Sequence, residues 1–183
     1  MYSPKIEQAI ITAITAHAHQ NRKAGEPTPY AAHPIHVGLI LQKAGFDEDT
    51  VVAGLLHDIL EDTEVGKEKI IEQFGETIYQ IIAELSEDKS LPWEERKKRS
   101  VEHLLSASES AKAVCAADKF HNLSCILEEL RRGNHNIWAS FRRGKRASLW
   151  FYQAVLDALL SQSTHPILSA YRDTLNKVKA LSK

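Results

Sequence analysis

The stretch Asp47–Val65, DEDTVVAGLLHDILEDTEV, decides the fold. Asp47 is a capping residue type, and Val51, Val52, Leu55, Leu56 and Ile59 follow at helical spacing. The pattern predicts a helix with one buried face. That face then changes abruptly to carboxylates. On a continuous helix His57 and Glu61 lie one turn apart, and so do Asp58 and Asp62. At 100° per residue the four span about 140° of the helix surface. Carboxylates carried at the edge of a buried face are costly unless paired, and a metal ion would offset that cost.

Outward from this segment the same periodicity recurs. Ser3-Pro4 reads as an N-cap and first-turn proline, followed by Ile6, Ile10, Ala13, Ile14 and His17 at helical spacing. Lys23 to Tyr30 is a loop rich in Gly and Pro. His33-Pro34 opens a second helix that Gly45 ends, and Gly66 closes the segment after the third. Two short helices flank Gly75, and Asp88–Pro92 is a loop. Helices are predicted near Glu94–Ser106, Glu109–Arg131 and Lys145–Gln162, with a break at Gly133–Asn136 and a last helix from Pro166. No stretch alternates like a strand. The expectation is an all-α fold, one compact domain over residues 1–183 with about eight to ten helices.

Composition agrees. The chain has 183 residues, 43% of them apolar, with only 8 Gly and 6 Pro. That length buries a sizeable core without staples, and scarce breakers favour helices. Lys and Arg number 23 against 24 Asp and Glu, a balance unlike that of a nucleic-acid binder. No apolar run reaches the ~18 residues of a membrane span. The beginning, MYSPKIEQAI, lacks a signal-peptide layout, so a cytoplasmic protein is expected. Cys115 and Cys125 fall in one predicted helix, ~15 Å apart at ~1.5 Å per residue. A disulfide needs about 7 Å, so both are read as packing thiols in a reducing compartment.

Three features stand out among the nine histidines and their acidic neighbours. They are His57-Asp58, His33 after Tyr30-Ala31-Ala32, and Asp118 in VCAADKFHNL, with Asn122 one turn later. Each alone has an ordinary reading. Together they supply two imidazoles and two carboxylates from three helices. That mixed set suits Mn²⁺, Fe²⁺, Zn²⁺ or Mg²⁺ better than copper(I) or iron–sulfur. A phosphate substrate would need cations beside so acidic a cluster, and Arg22, Lys23, Arg96, Lys97, Arg142, Lys145 and Arg146 are candidates.

The order H…HD…D resembles the metal site of the HD phosphohydrolase superfamily. The local text is more specific. HQNRKAGEPTPYAAHPIHV (19–37), AGLLHDILEDTEV (53–65) and AADKFHNL (116–123) resemble the hydrolase domain of RelA/SpoT-type enzymes, which remove the 3′-pyrophosphate of ppGpp and pppGpp. The likeness runs from about His17 to Asn122, and the basic Leu91–Arg99 also fits. The length matches the small stand-alone alarmone hydrolases and leaves no room for a synthetase domain. The resemblance implies an HD-type helical bundle in which His33, His57, Asp58 and Asp118 hold Mn²⁺. It implies that Glu61-Asp62 handle the attacking water and the proton traffic. It further implies that Arg22 lies against the guanine base, that Lys23 completes the pair with it, that Asn122 contacts the nucleoside, and that Tyr30 lines the pocket. Lys97 and Arg146 stand for phosphate contacts from two basic clusters. Of Trp150, Phe151 and Tyr152, Trp150 aligns best with an aromatic that faces substrate in relatives.

One departure concerns charge. Relatives commonly place an Arg where this chain has Ser124, which removes a cation near Asn122. The alternatives left open are another nucleotide phosphatase on the same fold, acting on NADPH or a nucleoside monophosphate, and a nucleotide-binding module without catalysis.

Overall fold

The computed structural model describes residues 2–22 and 28–182. Among them are ten α-helices and one 3₁₀ helix, and no strand. The α-helices are α1 (Pro4–Ala16), α2 (Ala32–Lys43), α3 (Glu48–Leu56), α4 (Ile59–Asp62), α5 (Lys67–Phe74), α6 (Glu76–Ala83), α7 (Trp93–Leu104), α8 (Glu109–Arg131), α9 (Gly144–Leu160) and α10 (Pro166–Leu181). The 3₁₀ helix is His135–Ser140. An isolated bridge pairs Asn21 with Pro29.

Local chemistry sets the boundaries. Ser3 Oγ accepts from the Ile6 amide at 3.1 Å, and Asp47 Oδ1 from the Thr50 amide at 2.8 Å. These caps satisfy amides that have no partner within the first helical turn. Gly75 joins α5 to α6 at φ +91°, where a side chain would be strained.

The third helix is not continuous, contrary to the sequence expectation. It stops at Leu56 and resumes at Ile59. The reason is local: His57 Nδ1 donates to the Gly54 carbonyl at 2.8 Å, so a side chain takes an acceptor the backbone ladder would use. The Asp62 amide then donates to the Asp58 carbonyl at 2.9 Å, and the helix restarts.

Helix α8 is the centre of the molecule, packed by α2, α3 and α10. Ala111, Ala113, Val114, Ala116 and Ala117 are all fully buried, so its first half is enclosed on every side. Helix α10 covers it with Ile167, Leu168, Tyr171, Leu175 and Val178, and the Tyr171 hydroxyl donates to the Tyr152 carbonyl at 2.7 Å. Helices α2 and α3 approach unusually closely. A Cβ added at Gly38 would lie 2.7 Å from Leu55 Cδ2, and one at Gly54 would overlap Leu41 Cδ1. Two glycines thus bring the start of α2, with His33, against the end of α3, with His57.

Candidate metal centre and substrate cavity

The three packed helices bring four side chains to one point. His33 Nε2 lies 3.2 Å from Asp118 Oδ1 and 3.6 Å from Asp58 Oδ2. His57 Nε2 lies 3.1 Å from Asp58 Oδ2 and 3.9 Å from Asp118 Oδ1. The two imidazoles stand edge to face, with centroids 5.1 Å apart. Donor atoms of His33, His57 and Asp58 all fall within 4.8 Å of one another.

Two observations fit this set to a divalent ion. The donors are two imidazoles and two carboxylates. In addition, His57 Nε2 is fully buried and makes no hydrogen bond, although it is aimed into the cluster. A buried ring nitrogen without a well-formed hydrogen bond is costly, and an ion would satisfy it.

The electrostatics follow from the same contacts. Burial works against a charge on His57, but Asp58 and then Asp118 outweigh it and push the imidazole up to about 9. Burial also opposes the Asp118 charge, and the adjacent Lys119 ammonium, with His33, overcomes it and holds the carboxyl well below its usual range. Lys119 Nζ donates to Asp118 Oδ2 at 2.5 Å. Burial and the nearby histidines and Arg22 push His121 down to about 3.

Beside the four lies a cavity of about 980 Å³. Glu61 and Asp62 sit on its wall. Glu61 Oε1 accepts from the Glu87 amide at 2.7 Å, and burial pushes the Glu61 carboxyl up against the pull of that amide. Asp62 Oδ1 pairs with Lys89 Nζ at 2.6 Å, and Lys89 also donates to the Glu61 carbonyl. The Tyr30 hydroxyl donates to Asp58 Oδ2 at 2.5 Å and lies 3.4 Å from Asp62 Oδ2. Asn122 Nδ2 donates to Asp118 Oδ1, while Asn122 Oδ1 accepts from Arg22 at 2.7 Å. Arg22, Tyr30 and Asn122 therefore line one side of the cavity next to the four.

The lining is also cationic and aromatic. It carries Arg96, Lys97, Arg142 and Arg143 with Trp93, Phe151 and Tyr152. Glu87 holds Lys97 at 2.6 Å and Arg96 at 3.4 Å. The Phe151 ring lies between two ammoniums, Lys97 Nζ at 4.6 Å and Lys119 Nζ at 5.6 Å from its centroid.

Some expected residues are elsewhere. Trp150 is 44% exposed and outside the cavity lining, and Arg146 is likewise exposed and outside it. Helical register explains both. On α9 the lining residues are Ser148, Phe151 and Tyr152, and positions 146 and 150 are each two residues from 148, on the opposite side. Lys145 also leaves the cavity, with Nζ donating to the Ser182 carbonyl at 2.5 Å. Ser124 does not line the cavity, and its Oγ donates to the Phe120 carbonyl at 2.8 Å. Lys23 lies outside the described residues. The sequence reading had missed Glu87, Lys89 and His121. Lys89 stands out only as a lysine in a predicted loop, and His121 only as the residue before Asn122.

Comparison with known proteins adds an independent line. An HD domain family model matches residues 9–150, a span that contains all four converging side chains. The chain is 40% identical over 139 residues to guanosine-3′,5′-bis(diphosphate) 3′-pyrophosphohydrolase MESH1 of Xenopus tropicalis, covering 75% of each. It is 39% identical over 132 residues to the human protein of that name, covering 71% of this chain and 72% of that one. Among solved structures, a metazoan SpoT orthologue that hydrolyses ppGpp superposes with a TM-score of 0.82 at 29% identity, over 99% of this chain and 98% of the other. A Listeria monocytogenes protein superposes with a TM-score of 0.76 at 33% identity, over 82% of this chain and 99% of that one. A family model spanning most of the sequence, and relatives alike over most of their own length, agree with the helices and the convergent side chains: the chain belongs to the HD domain family.

Proposed function

We propose that this protein is a divalent-metal-dependent phosphohydrolase that converts guanosine 3′,5′-bis(diphosphate), and its 5′-triphosphate counterpart, to GDP or GTP and pyrophosphate. The observation that carries the reading is the placement of the His33–His57–Asp58–Asp118 cluster and a carboxylate pair on one cavity whose lining also carries Arg96, Lys97, Arg142 and Arg143. Relatives named for this reaction support the substrate.

His33, His57, Asp58 and Asp118 are the residues that would hold the ion, for which we propose Mn²⁺. When bound, such an ion polarises a phosphoryl oxygen and makes water more acidic. Glu61 accepts a proton from the attacking water. Its burial raises its basicity, and the Glu87 amide fixes the carboxylate's orientation. Asp62, paired with Lys89, orients the water. The water oxygen bonds to the phosphorus attached to the 3′ oxygen. The bond from that phosphorus to the 3′ oxygen breaks, the proton held by Glu61 is passed on to the nucleoside oxygen, and pyrophosphate leaves. Arg22 and Asn122 hold the nucleoside side, with Tyr30 packing beside them. Arg96, Lys97 and Arg142 face the phosphates.

The functional unit is proposed to be the whole of residues 1–183, because α10, beyond the family match, packs along α8. The described helices include none long and apolar enough to cross a membrane. The proposed compartment is the cytoplasm, where the free thiols of Cys115 and Cys125 stay reduced.

The test is product analysis. Purified protein with Mn²⁺ and ppGpp should yield GDP and pyrophosphate, with one ¹⁸O from labelled water in the pyrophosphate. Orthophosphate as the sole phosphorus product, or turnover of NADPH with inert ppGpp, would overturn the reading.

A further inference from the structure

We propose that His121 is a positioning residue that selects the tautomer of His33 presented to the metal. The inference rests on the reading that the His33–His57–Asp58–Asp118 cluster holds a divalent ion. It concerns a residue outside that cluster.

Both histidines of the cluster turn Nε2 inward. A neutral imidazole that offers Nε2 as a lone pair must carry its proton on Nδ1. For His57 the backbone settles the matter. Its Nδ1 lies 2.8 Å from the Gly54 carbonyl, which can only accept, so Nδ1 is protonated and Nε2 is free. His33 has no such carbonyl. Its Nδ1 lies 2.8 Å from another ring nitrogen, Nδ1 of His121.

Two neutral ring nitrogens at that distance share one proton. If His33 donates, its Nε2 lone pair faces the cluster. If His121 donates, His33 carries the proton on Nε2, aimed at Asp118, and cannot ligate. His121 thus decides which nitrogen of His33 is available. Its own state is set at its other nitrogen. Nε2 faces Cys125 Sγ at 3.7 Å, one turn along α8. A thiol can accept from or donate to that nitrogen; in the arrangement proposed, Nε2–H is directed at the sulfur and Nδ1 is left as the acceptor that His33 needs. The ring cannot easily turn away from this task. It lies nearly parallel to His33, edge to edge, with centroids 5.0 Å apart at 28°, and His36 lies against it at 4.6 Å and 31°.

The result is an outer layer with two different anchors: a carbonyl for one histidine and a chain of imidazole and thiol for the other. Outer partners of metal-ligating histidines typically account for about 10- to 100-fold in metal affinity.

The substitutions His121→Leu and His121→Asn separate this role from simple packing. Asn places a carbonyl oxygen where His121 holds Nδ1, so it can accept from His33, whereas Leu fills space and accepts nothing. Mn²⁺ affinity measured by calorimetry should fall about 10- to 100-fold in the Leu variant and stay within about 3-fold of wild type in the Asn variant. A Leu variant that binds Mn²⁺ like wild type, or an Asn variant as weak as Leu, overturns the proposal. If wild type itself does not bind Mn²⁺, the reading of the cluster falls and takes the proposal with it. Should the Leu variant fail to fold, ¹⁵N NMR of the Zn²⁺-loaded wild type decides. His121 protonated on Nε2 supports the proposal, and His121 protonated on Nδ1 refutes it.

Discussion

Replacing Glu61 with Gln removes one proton acceptor and almost nothing else. The side chain keeps its length and shape. Its Oε1 can still accept from the Glu87 amide, the 2.7 Å contact that fixes the native carboxylate. The second oxygen, which faces the cavity, becomes an NH₂ group that donates where a base must accept. Loss of a positioned general base costs about 10²- to 10⁴-fold in rate. At 1.36 kcal/mol per decade that is about 2.7–5.4 kcal/mol of transition-state stabilisation. The loss belongs in kcat, because the contacts proposed for the substrate's phosphates and base are made by other residues. Stability should hold or rise, since a partly buried charge is exchanged for a neutral amide. Pyrophosphate release under single-turnover conditions, with Mn²⁺ binding and Tm measured alongside, makes the comparison. A variant that folds, binds Mn²⁺ and still releases pyrophosphate within 10-fold of wild type would refute the assignment of Glu61 as the base.

Other substitutions test other parts of the argument. Gly54→Ala drives a methyl into Leu41, and should cost about 1–3 kcal/mol of stability. In a domain of this size that is about 2–4 °C of Tm per kcal/mol in a thermal melt. Phe151→Ala should raise KM several-fold, while Trp150→Ala should leave it within 2-fold in steady-state kinetics, because only Phe151 faces the cavity. Chelation with EDTA should abolish turnover, and Mn²⁺ should restore it. Mn²⁺ at 100 times its Kd should add ~2.7 kcal/mol of stability, read as a rise in Tm. Lys89→Ala removes an exposed pair with Asp62 and should change Tm little, yet raise KM several-fold as the cavity loses a cation.

How much was legible in the sequence depended on the range of the interaction. Helix ends at Ser3, Asp47 and Gly75 are local matters of capping and backbone freedom, and they are readable from a few neighbouring residues. His33, His57, Asp58 and Asp118 were legible because their order and local text resemble a known site. What escaped reading is contact between distant segments. Lys89 meets Asp62 across 27 positions, and His121 meets His33 across 88. No periodicity encodes such pairs. Phe151 lines the cavity where Trp150 was expected, and one residue on a helix is 100° of direction. The break at His57 escaped as well, because a side chain competing for the Gly54 carbonyl leaves the apolar pattern intact.

The close seating of α2 on α3, with α8 behind both, has a consequence for how the molecule breathes. Segments held by many buried apolar contacts open only with the whole domain, while exposed connections open at little cost. Three of the four side chains of the candidate metal centre are carried by α2, α8 and the end of α3. Glu87 and Lys89, which hold Glu61 and Asp62, come from the connection between α6 and α7, where Lys89 and Ser90 are exposed. By that rule the connection between α6 and α7 should exchange its amide hydrogens faster than the packed ends of α2 and α3 and the middle of α8. In the reaction proposed above, a nucleotide would then enter and pyrophosphate leave past that connection, with the packed His33, His57 and Asp118 left in place.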